Sequence, residues 1–234
     1  MASLATGFKI IVKRSLKRLH TSPQKRVFCI SMQRNGTTSV GDFLSDHGYR
    51  VARWVDSNYY NWSYQVSAGK IELVFNSRPF NAYNAFEDSP WYHPGVYKKL
   101  YRRFPESRFI LLHRDSQAWF NSMLRHSNGK TPGNTFRHCQ IYDRLPEFYR
   151  RLQKDPNFLP TLNETDNLMS LEGKKDHYIN VYEKYNKNVI TFFDQHDTQR
   201  LFVGRLEDPN KWQKMGNFLD LDVSADYQVH SNKS

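Results

Sequence analysis

Short apolar runs recur along the chain, and segments with helical spacing separate them. In Arg26 to Ser31 the residues Val27, Phe28, Cys29 and Ile30 follow one another without a polar break, the pattern of a strand buried on both faces. Arg108 to His113 repeats it, and Tyr49 to Trp54, Asn81 to Phe86 and Arg200 to Leu206 read as further strands. Between them, Thr37 to His47 predicts a helix with Val40, Phe43 and Leu44 on one side and Gly48 as its stop. Val96 to Phe104 predicts another, closed by Pro105, and a third runs from Gln117 to about His126. Lys174 to His196 is the longest, with Tyr178, Val181, Tyr182, Tyr185, Val189 and Phe193 at a spacing of three or four. Pro209 to Leu219 is the last. Residues 128–172 hold Pro132, Pro146, Pro156 and Pro160, which predicts short helices mixed with long loops. Strands alternating with helices predict a three-layer α/β/α fold around a central, mainly parallel sheet. A single domain spans 26–234, preceded by a basic segment, 1–25, read as a mobile tail.

The 234 residues suffice for one such domain with a substantial core. A formal charge of +11 favours an anionic ligand or surface. The charge is uneven: no acidic residue precedes Asp42, whereas Lys9, Lys13, Arg14, Lys17, Arg18, Lys25, Arg26 and Arg34 all do. That basic start also fits contact with an anionic membrane surface. No apolar stretch approaches the roughly 18 residues of a membrane span. Cys29 and Cys139 do not make a disulfide framework, so a reducing compartment, the cytoplasm, is expected. The aromatic cluster Trp54, Tyr59, Tyr60, Trp62 and Tyr64 either covers the sheet or stacks on a ligand ring.

The chemistry begins after the first strand. Arg34, Asn35, Gly36, Thr37, Thr38 and Ser39 join that strand to the following helix. Free N–H groups at a helix start, with the helix dipole behind them, form a P-loop-like phosphate-binding loop. Gly36 permits close backbone approach, the hydroxyls add donors, and Arg34 adds a fixed charge. The alternative is an ordinary capped helix, since Thr is a good N-cap. The Walker pattern with its Lys is absent, which counts against a kinase or NTPase. A second anion site is indicated by Arg114, directly after the strand 108–113, with Ser122 eight residues on along the next helix. Alone, Arg114 reads equally as half of a surface ion pair with a carboxylate such as Asp115.

Taken together, the Arg-Asn-Gly-Thr-Thr-Ser loop and the later Arg-Asp-Ser-Gln-Ala-Trp-Phe-Asn-Ser segment closely resemble the sulfotransferases that use 3′-phosphoadenosine 5′-phosphosulfate, in their compact bacterial-type branch. The likeness extends to Phe86–Trp91, Phe104–Asp115, Arg200–Asp208, Lys211–Leu219 and the ending His230-Ser231-Asn232-Lys233, which is similar to a segment that closes over the nucleotide. The resemblance implies that Arg34 to Ser39 bind the 5′-phosphosulfate and that Arg114 and Ser122 bind the 3′-phosphate. It implies adenosine 3′,5′-bisphosphate as product, no metal requirement and a hydroxyl acceptor, such as a small molecule, a glycan or a lipid head group. Many members carry Lys where Arg34 stands; Arg keeps the charge but does not donate a proton in the same way.

An alcohol acceptor needs a base. Asp88, Glu87 and His93 follow the strand ending at Phe86, the region from which the family draws one, and the segment Asp88-Ser89-Pro90 puts Asp88 first. Asp88 also reads as a turn cap and His93 as a surface residue. Two rivals remain. A P-loop kinase predicts Mg²⁺-dependent ATP binding. A non-catalytic polyanion binder predicts salt-sensitive binding without nucleotide selectivity, and leaves the two spaced anion loops unexplained. Nucleic acid is not the expected partner.

Overall fold

The computed structural model describes residues 25–155, 158, 169–229 and 231. The basic segment 1–25 therefore lies outside the described residues, apart from Lys25. Five strands form one sheet, β1 (Val27–Cys29), β2 (Val51–Ala52), β3 (Ala85–Phe86), β4 (Arg108–His113) and β5 (Leu201–Arg205). Their order is β2-β3-β1-β4-β5, and every pairing is parallel.

Alternation along the strands divides the core in two. Val27 and Cys29 of β1 and Ile110 and Leu112 of β4 face one layer. That layer is built by α1 (Thr37–Asp46), through Val40, Phe43 and Leu44, and by the C-terminal helix Lys211–Leu219, through Trp212 and Met215. Phe28 and Ile30, with Phe109 and Leu111, face the other layer. There the chain adds four short helices, α2 (Trp54–Tyr59), α3 (Trp62–Ser67), α4 (Ile71–Phe75) and α5 (Arg78–Ala82), then α6 (Val96–Arg103) and α7 (Ser116–Ser127). Residues 128–172 contribute α8 (Thr135–Ile141) and α9 (Leu145–Lys154). α10 (Lys175–His196) lies on the same face, burying Tyr178, Tyr182, Tyr185, Val189, Phe192 and Phe193. The C-terminal helix is α11. The three-layer expectation is met.

The strand order places the site. After β1 the chain moves to one side of the sheet for β2 and β3, then crosses to β1's other side for β4 and β5. Ligands bind at such a reversal, outside the carboxyl ends of the strands. The segments leaving β1, β3 and β4 therefore emerge side by side, and they carry Arg34, Asp88 and Arg114 respectively.

The aromatic cluster of residues 54–64 divides between two roles. Trp62 is fully buried beneath the short helices, whereas Trp54 and Tyr59 are exposed. Cys29 and Cys139 are both buried free thiols.

Candidate active site

The loop after β1 is shaped by two left-handed residues. Arg34 has φ 69° and Gly36 φ 76°. A side chain at Gly36 would be strained at that φ, and its Cβ would stand 2.7 Å from Leu206 Cδ1. Gly36 is the N-cap of α1 and offers no side-chain cap, so the first N–H groups of this ten-residue helix have no partner within it.

A cavity of about 1040 Å³ opens in front of that helix end. Gly36, Thr37, Thr38 and Ser39 line it together with Arg34, Arg114, Ser122, Asp88 and His93. The two anion loops and the proposed base region, scattered over ninety residues, thus share one space. Among the described residues, four arginines line the cavity, Arg34, Arg114, Arg125 and Arg137, against a single carboxylate, Asp88. Such a wall selects anions.

The loops are tied to each other directly. Arg34 Nε donates to Ser122 Oγ at 3.0 Å, so the second segment's serine touches the first loop's arginine. Burial holds the Arg34 guanidinium below its usual value, Arg125 and Arg114 act in the same direction, and Asp88 opposes them. Asp115 does not pair with Arg114; it caps α7 by accepting from Ala118 N at 2.8 Å. Arg114 Nε sits 3.5 Å from Glu207 Oε1 without a hydrogen bond.

Asp88, too, has a left-handed backbone, φ 65°. A non-glycine residue held there marks a constrained turn. Its Oδ1 accepts from Ser89 N at 2.7 Å and its Oδ2 from Thr37 Oγ1 at 3.4 Å, which sets the carboxylate against the start of α1. Burial raises its pKa, opposed by those two donors and by Arg34. His93 Nε2 lies 3.5 Å from Ser89 Oγ, and burial, aided by Arg137, pushes its pKa down to about 3.

Two expected site residues do not line the cavity. Asn35 is fully buried; its Nδ2 donates to Met32 O at 2.9 Å and its Oδ1 accepts from Tyr182 OH at 2.9 Å. It shapes the loop from behind. Glu87 packs against α1, where its Cγ would stand 3.1 Å from a Cβ at Gly41. Burial, with Asp88's charge adding, pushes the Glu87 carboxyl up to about 8, and its Oε2 has no hydrogen-bond partner.

Three residues gain importance that their sequence context did not show. Tyr182 OH accepts from Arg114 N at 3.0 Å while donating to Asn35, so one hydroxyl joins both loops. Arg125 and Arg137 enter the wall from α7 and α8. Only the apolar spacing around Tyr182 was visible, and it indicated core. Ser231 also lines the cavity, and its N donates to Ser39 Oγ at 3.2 Å. The rest of the closing segment, His230, Asn232 and Lys233, lies outside the described residues.

This geometry coincides with a family match: the model of the sulfotransferase domain fits residues 26–234. The chain belongs to the sulfotransferase family. Two solved structures are similar to it. A sulfotransferase from Alicyclobacillus acidocaldarius is 14% identical, with 88% of this chain and 84% of that one covered and a TM-score of 0.47. The sulfotransferase domain from the curacin biosynthetic pathway is 14% identical, with 90% and 80% covered and a TM-score of 0.48. Among curated proteins, none matches the chain at a significant level. Among the described residues, no helix of this sulfotransferase is long and apolar enough to cross a membrane.

Proposed function

We propose that this sulfotransferase moves the sulfuryl group of 3′-phosphoadenosine 5′-phosphosulfate onto a hydroxyl acceptor. The observation that carries the reading is the meeting of both anion loops at one arginine-lined cavity whose single described carboxylate stands at the helix start. The N–H groups of Thr37 to Ser39 and the Arg34 guanidinium receive the 5′-phosphosulfate. Arg114 and Ser122, both in the cavity wall, receive the 3′-phosphate.

Transfer proceeds in line. The acceptor oxygen forms a bond to sulfur as the bond between sulfur and the bridging oxygen breaks. The acceptor proton passes to Asp88, and the negative charge gathers on the departing 5′-phosphate. Arg34 and the α1 amides stabilise that charge electrostatically, which is the main task in this class of displacement. Asp88 is favoured over Glu87, which lies outside the cavity wall, and over His93, whose nearest polar contact is Ser89 rather than the anion loop.

The test is thermal. Adenosine 3′,5′-bisphosphate is expected to raise the melting temperature, while 5′-AMP is not, because binding to the folded state alone stabilises it. Arg114→Ala is expected to remove the shift. A well-folded protein that ignores saturating bisphosphate would overturn the reading, and a response to Mg-ATP alone would point to a kinase.

A further inference from the structure

The cavity extends well beyond the two anion loops, and its far side has its own chemistry. Arg34 has Arg125, Arg114 and Asp88 as charged neighbours, whereas Arg137 acts on Tyr92 and His93, which line the same cavity. Arg137 thus stands in the cavity wall outside the group of charges around Arg34. It is half-buried on α8, and its guanidinium has no ion pair or side-chain hydrogen bond among the described residues. A desolvated, unpaired guanidinium is costly unless a ligand completes it.

The next residue strengthens the case. His138 is 3% exposed, lies in the cavity wall, and has no partner for Nε2. Arg144 Nη1 donates to Tyr178 OH at 3.1 Å, which leaves the tyrosine proton for His138 Nδ1 at 3.4 Å. Burial keeps the ring neutral, with Arg144 acting in the same direction. With Nδ1 accepting, the ring proton belongs on Nε2, a buried donor with no partner among the described residues. Near the mouth, Trp54 lines the cavity with half its surface exposed, and the amides of Asn58 and Asn61 accompany it. An indole face with nearby amides suits a sugar ring, apolar on one face and hydroxylated at its edge.

We propose that the acceptor is a saccharide bearing an anionic group, with the anion held by Arg137 and the ring laid against Trp54. This rests on the sulfotransferase reading above. Carboxylate, phosphate and sulfate share the chemistry that Arg137 recognises, and matched probes separate them.

Glucuronate, glucose 6-phosphate, glucose 6-sulfate and glucose are each titrated, at matched ionic strength, into protein saturated with adenosine 3′,5′-bisphosphate. At least one anionic sugar is expected to raise the melting temperature further where glucose does not. Arg137→Gln is expected to weaken that binding about ten- to a hundredfold, the range for losing charge-assisted hydrogen bonds. Arg137→Lys keeps part of it. The bisphosphate shift of each variant shows that it folds. If no anionic sugar exceeds glucose, or if Arg137→Gln responds as wild type does, this inference is overturned. If wild type shows no bisphosphate shift at all, the donor reading fails instead.

Discussion

Replacing Tyr182 with Phe removes one oxygen atom and tests whether the two anion loops form a single unit. The ring is 2% exposed and stacks on Trp119 at 4.3 Å, a contact that Phe retains. The Arg114 amide would lose its acceptor at 3.0 Å and Asn35 Oδ1 its donor at 2.9 Å. Each buried polar group left unpaired costs about 1–3 kcal/mol. With Asn35 still anchored through Met32 O, the sum is about 2–4 kcal/mol. In a domain of this size, that corresponds to a fall of roughly 5–15 °C in melting temperature. Calorimetry with and without adenosine 3′,5′-bisphosphate is the assay, and the ligand-induced shift should shrink as well, because both phosphate sites loosen. Tyr185→Phe is the contrast. It loses one bond, to Ile30 O at 2.7 Å, and should lower the melting temperature less while leaving the ligand shift intact. A Tyr182→Phe protein that melts within about 2 °C of wild type and binds the bisphosphate normally would refute the coupling, because even one unpaired buried group exceeds that.

Three further outcomes follow from the same geometry. Gly36→Ala should abolish bisphosphate binding and cost about 1–3 kcal/mol in denaturant melts, since the new Cβ meets Leu206 at a left-handed φ. Asp88→Asn should reduce turnover about 10²- to 10⁴-fold while retaining bisphosphate binding. Because burial raises the Asp88 pKa, the wild-type rate should climb with pH through a value above that of an ordinary aspartate. Equal turnover in the Asn variant would remove Asp88 as the base. Glu87→Gln tests linkage: a carboxyl raised to about 8 in the fold keeps a proton that the unfolded chain has lost. Its stabilisation is complete below the unfolded pKa and fades as pH rises through about 8. The variant should therefore gain stability over wild type progressively between pH 5 and about 8, read from melting temperatures across that range. A pH-independent difference would contradict the burial argument.

The sequence determined the elements whose signals are local. The run Arg108–His113 is a strand with the expected bounds, because its four consecutive buried apolar residues, Phe109 to Leu112, need no distant partner to be recognised. The helix beginning at Thr37 and the long one ending at His196 were legible from their apolar spacing. So were Gly36 and the hydroxyls after it, since a phosphate-binding helix start is contiguous in the chain. The four short helices over residues 54–82 were not, because at five or six residues each they carry too few turns for a periodic signal.

The tertiary structure alone decided what the remaining polar groups do. It turned the Asn35 side chain inward to Tyr182, and Glu87 toward Gly41. It gave Arg34 to Ser122 across 88 positions, and brought Arg125 and Arg137 into the cavity wall. Local pattern reports which residues leave water. Which partner a buried polar group finds depends on strands and helices meeting across the sheet, and no spacing along the chain encodes that meeting.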